Sequence, residues 1–280
     1  MEHGLCYSQY TDLFLKGEGP MDAARWDRSA GDYQRVFREG CNGYNRRLLD
    51  FMLDSGILYP GCKVLDVGCG VGKYGTYFAA MGCDVTLTDI SGEMLRRAEE
   101  NMRPFASPWR KVAGDFETME PSLLAPSGPF DLAISTMSPA VHDLATVKKL
   151  SALTRGWCLL TNFVSWRQPL RDRFYRALAY DPVRSMAGGL DSPEALEKAV
   201  EQAGYEPHIR YENYDWADER SPQEAAAYLI RRHPAMDEED PELFRRAVET
   251  AAGLCDEKGI FQDRVFTRVA WLSWKTLKED

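Results

Sequence analysis

The chain has 280 residues, 44% of them hydrophobic and 28% charged, with a net charge of −9. That length and apolar share support one large α/β domain or two smaller ones and exclude a wholly disordered chain. The acidic balance argues against a nucleic-acid partner, whose phosphates need Lys and Arg, and Arg pairs such as Arg46-Arg47 and Arg231-Arg232 read as solvated helix faces.

Seven cysteines occur, Cys6, Cys41, Cys62, Cys69, Cys83, Cys158 and Cys255, an odd count with no C-x-x-C spacing. Reduced thiols are expected, with no zinc site and no disulfide framework. No metal is expected elsewhere. The first twenty residues lack a basic segment followed by an apolar run, and no stretch of ~18 apolar residues exists. A cytoplasmic protein without a membrane partner is the expectation.

In chain order, residues 1–40 form a polar arm with scattered aromatics and one or two short helices, interrupted at Gly31. The remainder, 41–280, reads as the main domain. Residues 44–54 place Leu48, Phe51 and Met52 on one helical face. Strands and helices then alternate. Strands are expected at 63–67, 84–89, 109–115, 130–136 and 157–166. Helices are expected at 71–81, at 91–102 with Ser91 as N-cap, and at 144–156 closed by Gly156. Such alternation implies a parallel sheet with helices on both faces and a ligand beyond the carboxyl ends of the strands. Further on, a helix at 191–205 is followed by aromatic-rich strands at 206–216 and 263–274, which suit an antiparallel pair at the sheet edge. A helical insertion at about 217–262 lies between them, with helices at 221–232 and 240–257.

The segment VLDVGCGVGKYG, residues 64–75, carries the chemistry. Glycine at a strand-to-helix turn lets backbone approach a ligand and exposes helix N–H groups. Two registers compete. Gly70-x-Gly72-x-x-Gly75 is formally a dinucleotide motif, and Asp89 nineteen residues on suits an NAD ribose. In the other register Asp66 stands beside the first turn glycine, Gly68. A carboxylate there would repel a pyrophosphate and suits a cation; S-adenosylmethionine carries an ammonium and a sulfonium and no phosphate. Asp89 at the end of the second strand suits a ribose diol. Asp115, ending the third strand, suits an adenine amino group, with Phe116 to pack on the ring. The loop Ser135-Thr-Met-Ser-Pro-Ala-Val-His-Asp143 follows the fourth strand.

On these residues the chain resembles the class I S-adenosylmethionine-dependent methyltransferases over about residues 40–165 and the late strands. The resemblance implies a Rossmann-like seven-stranded, mostly parallel sheet with an antiparallel last strand, here with an N-terminal helical arm and a helical insertion. It implies cofactor contacts from Asp66, Gly68, Gly70, Asp89, Asp115 and Ser135, with Cys69, Gly72, Ile90 and Phe116 among them. S-adenosylhomocysteine would be the product.

Methyl transfer from a sulfonium needs positioning and exclusion of water, and a general base only when the acceptor must lose a proton. His142 with Asp143 is the first candidate for that role, and Tyr33 in the arm is another. Trp26, Asp27 and Tyr33 resemble part of a segment that covers the cofactor. Asn162 and the stretch 212–216 are candidates to line an acceptor pocket. Ser138-Pro139-Ala140 departs from the Asp/Asn-Pro-Pro-aromatic pattern of enzymes acting on exocyclic amines of bases. The expected activity is methyl transfer to a small molecule or cofactor precursor. The alternatives are an NAD-dependent oxidoreductase and a non-catalytic S-adenosylmethionine-binding protein.

Overall fold

A computed structural model of the chain describes residues 22–38, 43–182, 192–233 and 235–277. The first twenty-one residues of the expected arm, with Cys6, and the segment containing Cys41 lie outside the described residues.

Seven strands, β1 (Lys63–Val67), β2 (Asp84–Asp89), β3 (Trp109–Ala113), β4 (Phe130–Thr136), β5 (Thr154–Arg167), β6 (His208–Arg220) and β7 (Phe261–Lys275), form one sheet in the order β3-β2-β1-β4-β5-β7-β6. The first five are parallel neighbours, with Lys63 opposite Asp84, Val85 opposite Trp109 and Val64 opposite Leu132. Strands β6 and β7 run antiparallel. The Ser273 hydroxyl donates to the His208 carbonyl, and six residues back along β7 the Thr267 hydroxyl donates to the Tyr214 carbonyl, six residues on along β6. Apolar strand residues cause this arrangement: β1, β2 and β4 are short Val/Leu/Ile runs buried on both faces.

The chain gathers into two compact units. The larger comprises Met21–Val164, Gly188–Glu212 and Val269–Asp280. Its helices are α1 (Ala23–Arg38), α2 (Gly43–Asp54), α3 (Lys73–Ala80), α4 (Gly92–Met102), α5 (Pro121–Leu124), α6 (Leu144–Ala152) and α8 (Pro193–Gln202). Leu65, Val67, Phe130, Ala133, Leu160 and Trp274 lie in its core, each large apolar side chain contributing about 1.5–3 kcal/mol by burial. The smaller unit includes Ser165–Ala187 and Asn213–Arg268. In it α7 (Pro169–Ala177), α9 (Pro222–Arg232) and α10 (Pro241–Ala252) pack around Phe174, Tyr175, Leu229, Leu243 and Phe261.

Three expectations need correction. Helix α1 runs unbroken through Gly31, because the face Trp26, Ala30 and Gln34 at i, i+4, i+8 is buried and the helix packs on α4. Gln34 and Asn101 fix that contact by exchanging two amide hydrogen bonds, 2.8 and 3.0 Å. Helix α6 stops at Ala152, and Gly156 is a strand residue rather than a helix stop. Its reason for being glycine is proximity: a Cβ there would sit 2.1 Å from the Asp131 carbonyl oxygen of β4. Helix α7 has no counterpart in the sequence expectation, since its charged residues mask the apolar face made by Phe174 and Tyr175.

Candidate cofactor site

The site lies in the larger unit, where β1 gives way to the glycine turn. The turn glycines divide by task. Gly68 has φ +68°, and a Cβ on it would meet the Ser138 side chain at 1.9 Å, so the β4 loop presses directly on the turn. Gly72 and Gly75 serve packing: their missing Cβ atoms would lie 3.1 Å from Ala98 of α4 and 2.7 Å from Leu87 of β2. Helix–strand packing is also what a dinucleotide motif asks of its third glycine, so Gly75 does not separate the two registers and the acids at the turn must.

Asp66 is 2% exposed, and among the described residues its Oδ1 has no hydrogen-bond partner. Burial, with the Asp89 carboxylate adding to it, pushes its carboxyl up to about 8. A buried carboxyl in this condition is incomplete: its ionised form is penalised until a cation or strong donor arrives. Asp89 is held the opposite way. Its Oδ2 accepts from the Gly70 amide at 2.8 Å and its Oδ1 from the Ser91 amide at 2.9 Å, which partly offsets the burial that raises its pKa. The Gly70 amide is thus already committed to a carboxylate. Two buried acids at one turn form a surrounding that repels diphosphate and attracts an ammonium or sulfonium. These residues fit S-adenosylmethionine.

The other expected residues fall in several places. Ile90 follows Asp89 and is partly exposed; Cys69 lies inside the turn, and burial holds its thiol well above the usual range, so it stays protonated. Ser135 is buried, its hydroxyl donating to the Val67 carbonyl at 3.0 Å, which ties β4 to β1 at the turn. Asp115 is exposed, with Oδ1 accepting from the Glu117 amide at 3.0 Å. Phe116 is buried in the core, with the Lys149 ammonium 5.1 Å from its ring centroid.

His142 is partly exposed. Its Nδ1 lies 3.1 Å from the Pro139 carbonyl and its Nε2 4.0 Å from Glu117 Oε2. A carbonyl can only accept, so the neutral ring carries its proton on Nδ1 and leaves Nε2 as the acceptor. No hydrogen bond joins Asp143 to that ring. Asp143 is the N-cap of α6 in a reciprocal capping box with Thr146, and those hydrogen bonds hold its carboxyl low. Tyr33 makes an edge contact with Trp26, ring centroids 6.3 Å apart. Asp27 Oδ1 accepts from the Ser91 hydroxyl at 2.5 Å and the Glu93 amide at 3.1 Å, joining α1 to the start of α4. Asn162 lies on β5 and residues 212–216 on β6.

Two features of the 135–143 loop escaped the sequence reading. Met137 has φ +49°, an uncommon conformation for a non-glycine residue, with its amide donating to the Thr161 carbonyl at 2.9 Å. Ser138 follows it over Gly68. Nothing in a Met-Ser dipeptide signals either fact. Among the described residues, no group of three or more His, Cys, Asp or Glu could hold a metal ion, and no helix is long and apolar enough to cross a membrane.

Comparison with known proteins agrees with this geometry. A family model described as "Methyltransferase domain" matches residues 64–157. A malonyl-[acyl-carrier protein] O-methyltransferase of Pectobacterium atrosepticum is 36% identical over 97 residues, 35% of either chain. A ribosomal protein L11 methyltransferase of Thermus thermophilus is 29% identical over 133 residues, 47% of this chain and 50% of its own. The chain thus spans half or less of these two relatives' length. Among solved structures, Haemonchus contortus phosphoethanolamine N-methyltransferase 2, in complex with phosphomonomethylethanolamine and S-adenosylhomocysteine, superposes with a TM-score of 0.52 at 18% identity. That match covers 96% of this chain and 60% of the other, and it shows the shared fold. The matched segment holds the glycine turn and strands β2 to β4 with their helices, and over it the chain is similar to a methyltransferase domain.

Proposed function

We propose that the protein is an enzyme that transfers the methyl group of S-adenosylmethionine to a small molecule or cofactor precursor. The observation that carries this reading is the buried, unpartnered Oδ1 of Asp66 beside the first turn glycine. Asp66 would hold the cationic amino-acid end of the cofactor. Asp89, fixed by the amides of Gly70 and Ser91, would accept from the ribose hydroxyls. Asp115 is the acceptor offered to the adenine amino group. The cofactor supplies a methyl already activated on sulfur. The protein's task is to align a nucleophile in line with it and keep water out.

Where the acceptor must lose a proton, His142 Nε2 would take it, with Nδ1–H held by Pro139 O and Glu117 at 4.0 Å to stabilise the imidazolium. Asp143 is committed to its helix cap and acts on the loop's shape. Tyr33 is a candidate to touch the acceptor from the arm. The net charge of −9, together with the missing amide or carboxylate at 138–140, supports an acceptor other than nucleic acid.

Melting curves with S-adenosylmethionine, S-adenosylhomocysteine and NADH test the reading. At ~100 times the dissociation constant a ligand adds about 2.7 kcal/mol of stability. The first two should raise the melting temperature and NADH should not, and Asp89→Ala should abolish most of the rise. A response to NADH alone would refute the assignment.

A further inference from the structure

Two cysteines 21 positions apart meet at the end of the sheet opposite the glycine turn. Lys63 and Asp84, the first residues of β1 and β2, are paired across the parallel ladder. Cys62 and Cys83 immediately precede them, one step back in the same register. Their sulfurs lie 3.5 Å apart and both residues are fully buried. Neighbouring strands run roughly 4.8 Å apart, inside the Cα separation of roughly 4.4–6.8 Å that a disulfide spans. The pair is also one thin layer from solvent: Tyr59, Pro60 and Gly61 before Cys62, and Gly82 before Cys83, are exposed turn residues.

We propose that Cys62 and Cys83 are a peroxide-oxidisable pair that closes a reversible disulfide around β1, the glycine turn and α3, the segment that carries Asp66. The Cys62 side chain 3.5 Å away favours the Cys83 thiolate, while Cys62 itself is pushed the other way, so Cys83 is assigned as the attacking sulfur. The Cys83 thiolate attacks one oxygen of hydrogen peroxide and the O–O bond breaks. The departing hydroxide takes a proton to become water, and Cys83 becomes a sulfenic acid. Cys62 sulfur then attacks that sulfur, the S–O bond breaks, and a second water leaves. Two thiols lose two electrons and two protons; the peroxide is reduced to two waters. A dithiol reductant reverses the step by exchange.

The test treats the full-length wild-type protein with hydrogen peroxide, blocks remaining thiols under denaturing conditions and maps peptides without reduction. The expected result is a cross-linked peptide pair containing Cys62 and Cys83, two fewer free thiols among the seven in the sequence, and a raised melting temperature. Dithiothreitol should restore both thiols. In Cys62→Ser, whose hydroxyl keeps a hydrogen-bond donor beside Cys83, Cys83 should be captured by dimedone as a sulfenic acid and no cross-link should form. The proposal is overturned if both cysteines remain reduced, if either links to another cysteine, or if Cys83 proceeds to sulfinic acid with Cys62 still free.

Discussion

Asp66→Asn should make the ligand-free protein more stable and the cofactor complex weaker. Burial and Asp89 raise the Asp66 carboxyl from 3.8 to about 8. The ligand-free fold therefore binds a proton that the unfolded chain releases. Stability from this group is fully present below pH 3.8, declines as pH rises, and is lost by about pH 8. At 1.36 kcal/mol per unit, the cost to the fold at pH 7 is about 4 kcal/mol. An amide has no ionised form and avoids that cost, though an imperfectly paired amide returns about 1–3 kcal/mol of it. A net gain of about 1–3 kcal/mol is expected, or several degrees of melting temperature. Melting curves at pH 5 and pH 8 for both proteins give the comparison: wild type should lose stability across the interval, and the variant should lose less. Titration calorimetry with S-adenosylmethionine should show affinity reduced about 10–100-fold, the loss of one charge-assisted hydrogen bond. If the variant melts lower at pH 8 and binds the cofactor as tightly as wild type, Asp66 is not an incomplete cation site.

Gly156→Ala places a methyl 2.1 Å from the Asp131 carbonyl, where only backbone movement relieves the clash, and should cost about 3 kcal/mol or more in urea denaturation. Asp263 in the smaller unit is fully buried with one oxygen unpartnered among the described residues, and burial raises its carboxyl from 3.8 to about 6. It too favours the fold at low pH and withdraws that support between pH 3.8 and about 6, so the stability difference between Asp263→Asn and wild type should shift toward the variant by up to about 3 kcal/mol across that window. Asp27→Ala removes acceptors from the Ser91 hydroxyl and the Glu93 amide and should cost about 0.5–2 kcal/mol, seen as faster amide exchange in the first turn of α4.

The larger unit was readable where short apolar runs are fenced by glycine or polar residues. β1, β2 and β4 have the boundaries expected of them, and Ser91 caps α4 as its spacing implied. Gly156 misled because glycine ends helices and also admits close strand contact; only the neighbouring Asp131 carbonyl distinguishes the two. The carboxylates at the turn could be named from position, but the unsatisfied state of Asp66 depends on what three-dimensional packing leaves out. The positive φ of Met137 is equally silent in one dimension, since the Thr161 carbonyl that receives its amide lies 24 residues on. The thiol pair is hidden for a related reason: 21 residues of chain separate partners that parallel pairing sets side by side.

Ser91 uses its two donors in two directions. The amide steers Asp89, while the hydroxyl reaches Asp27 on the first described helix. A swing of that helix would therefore act on the same residue that orients Asp89. One serine links the seating of α1 to the orientation of a buried acid at the glycine turn.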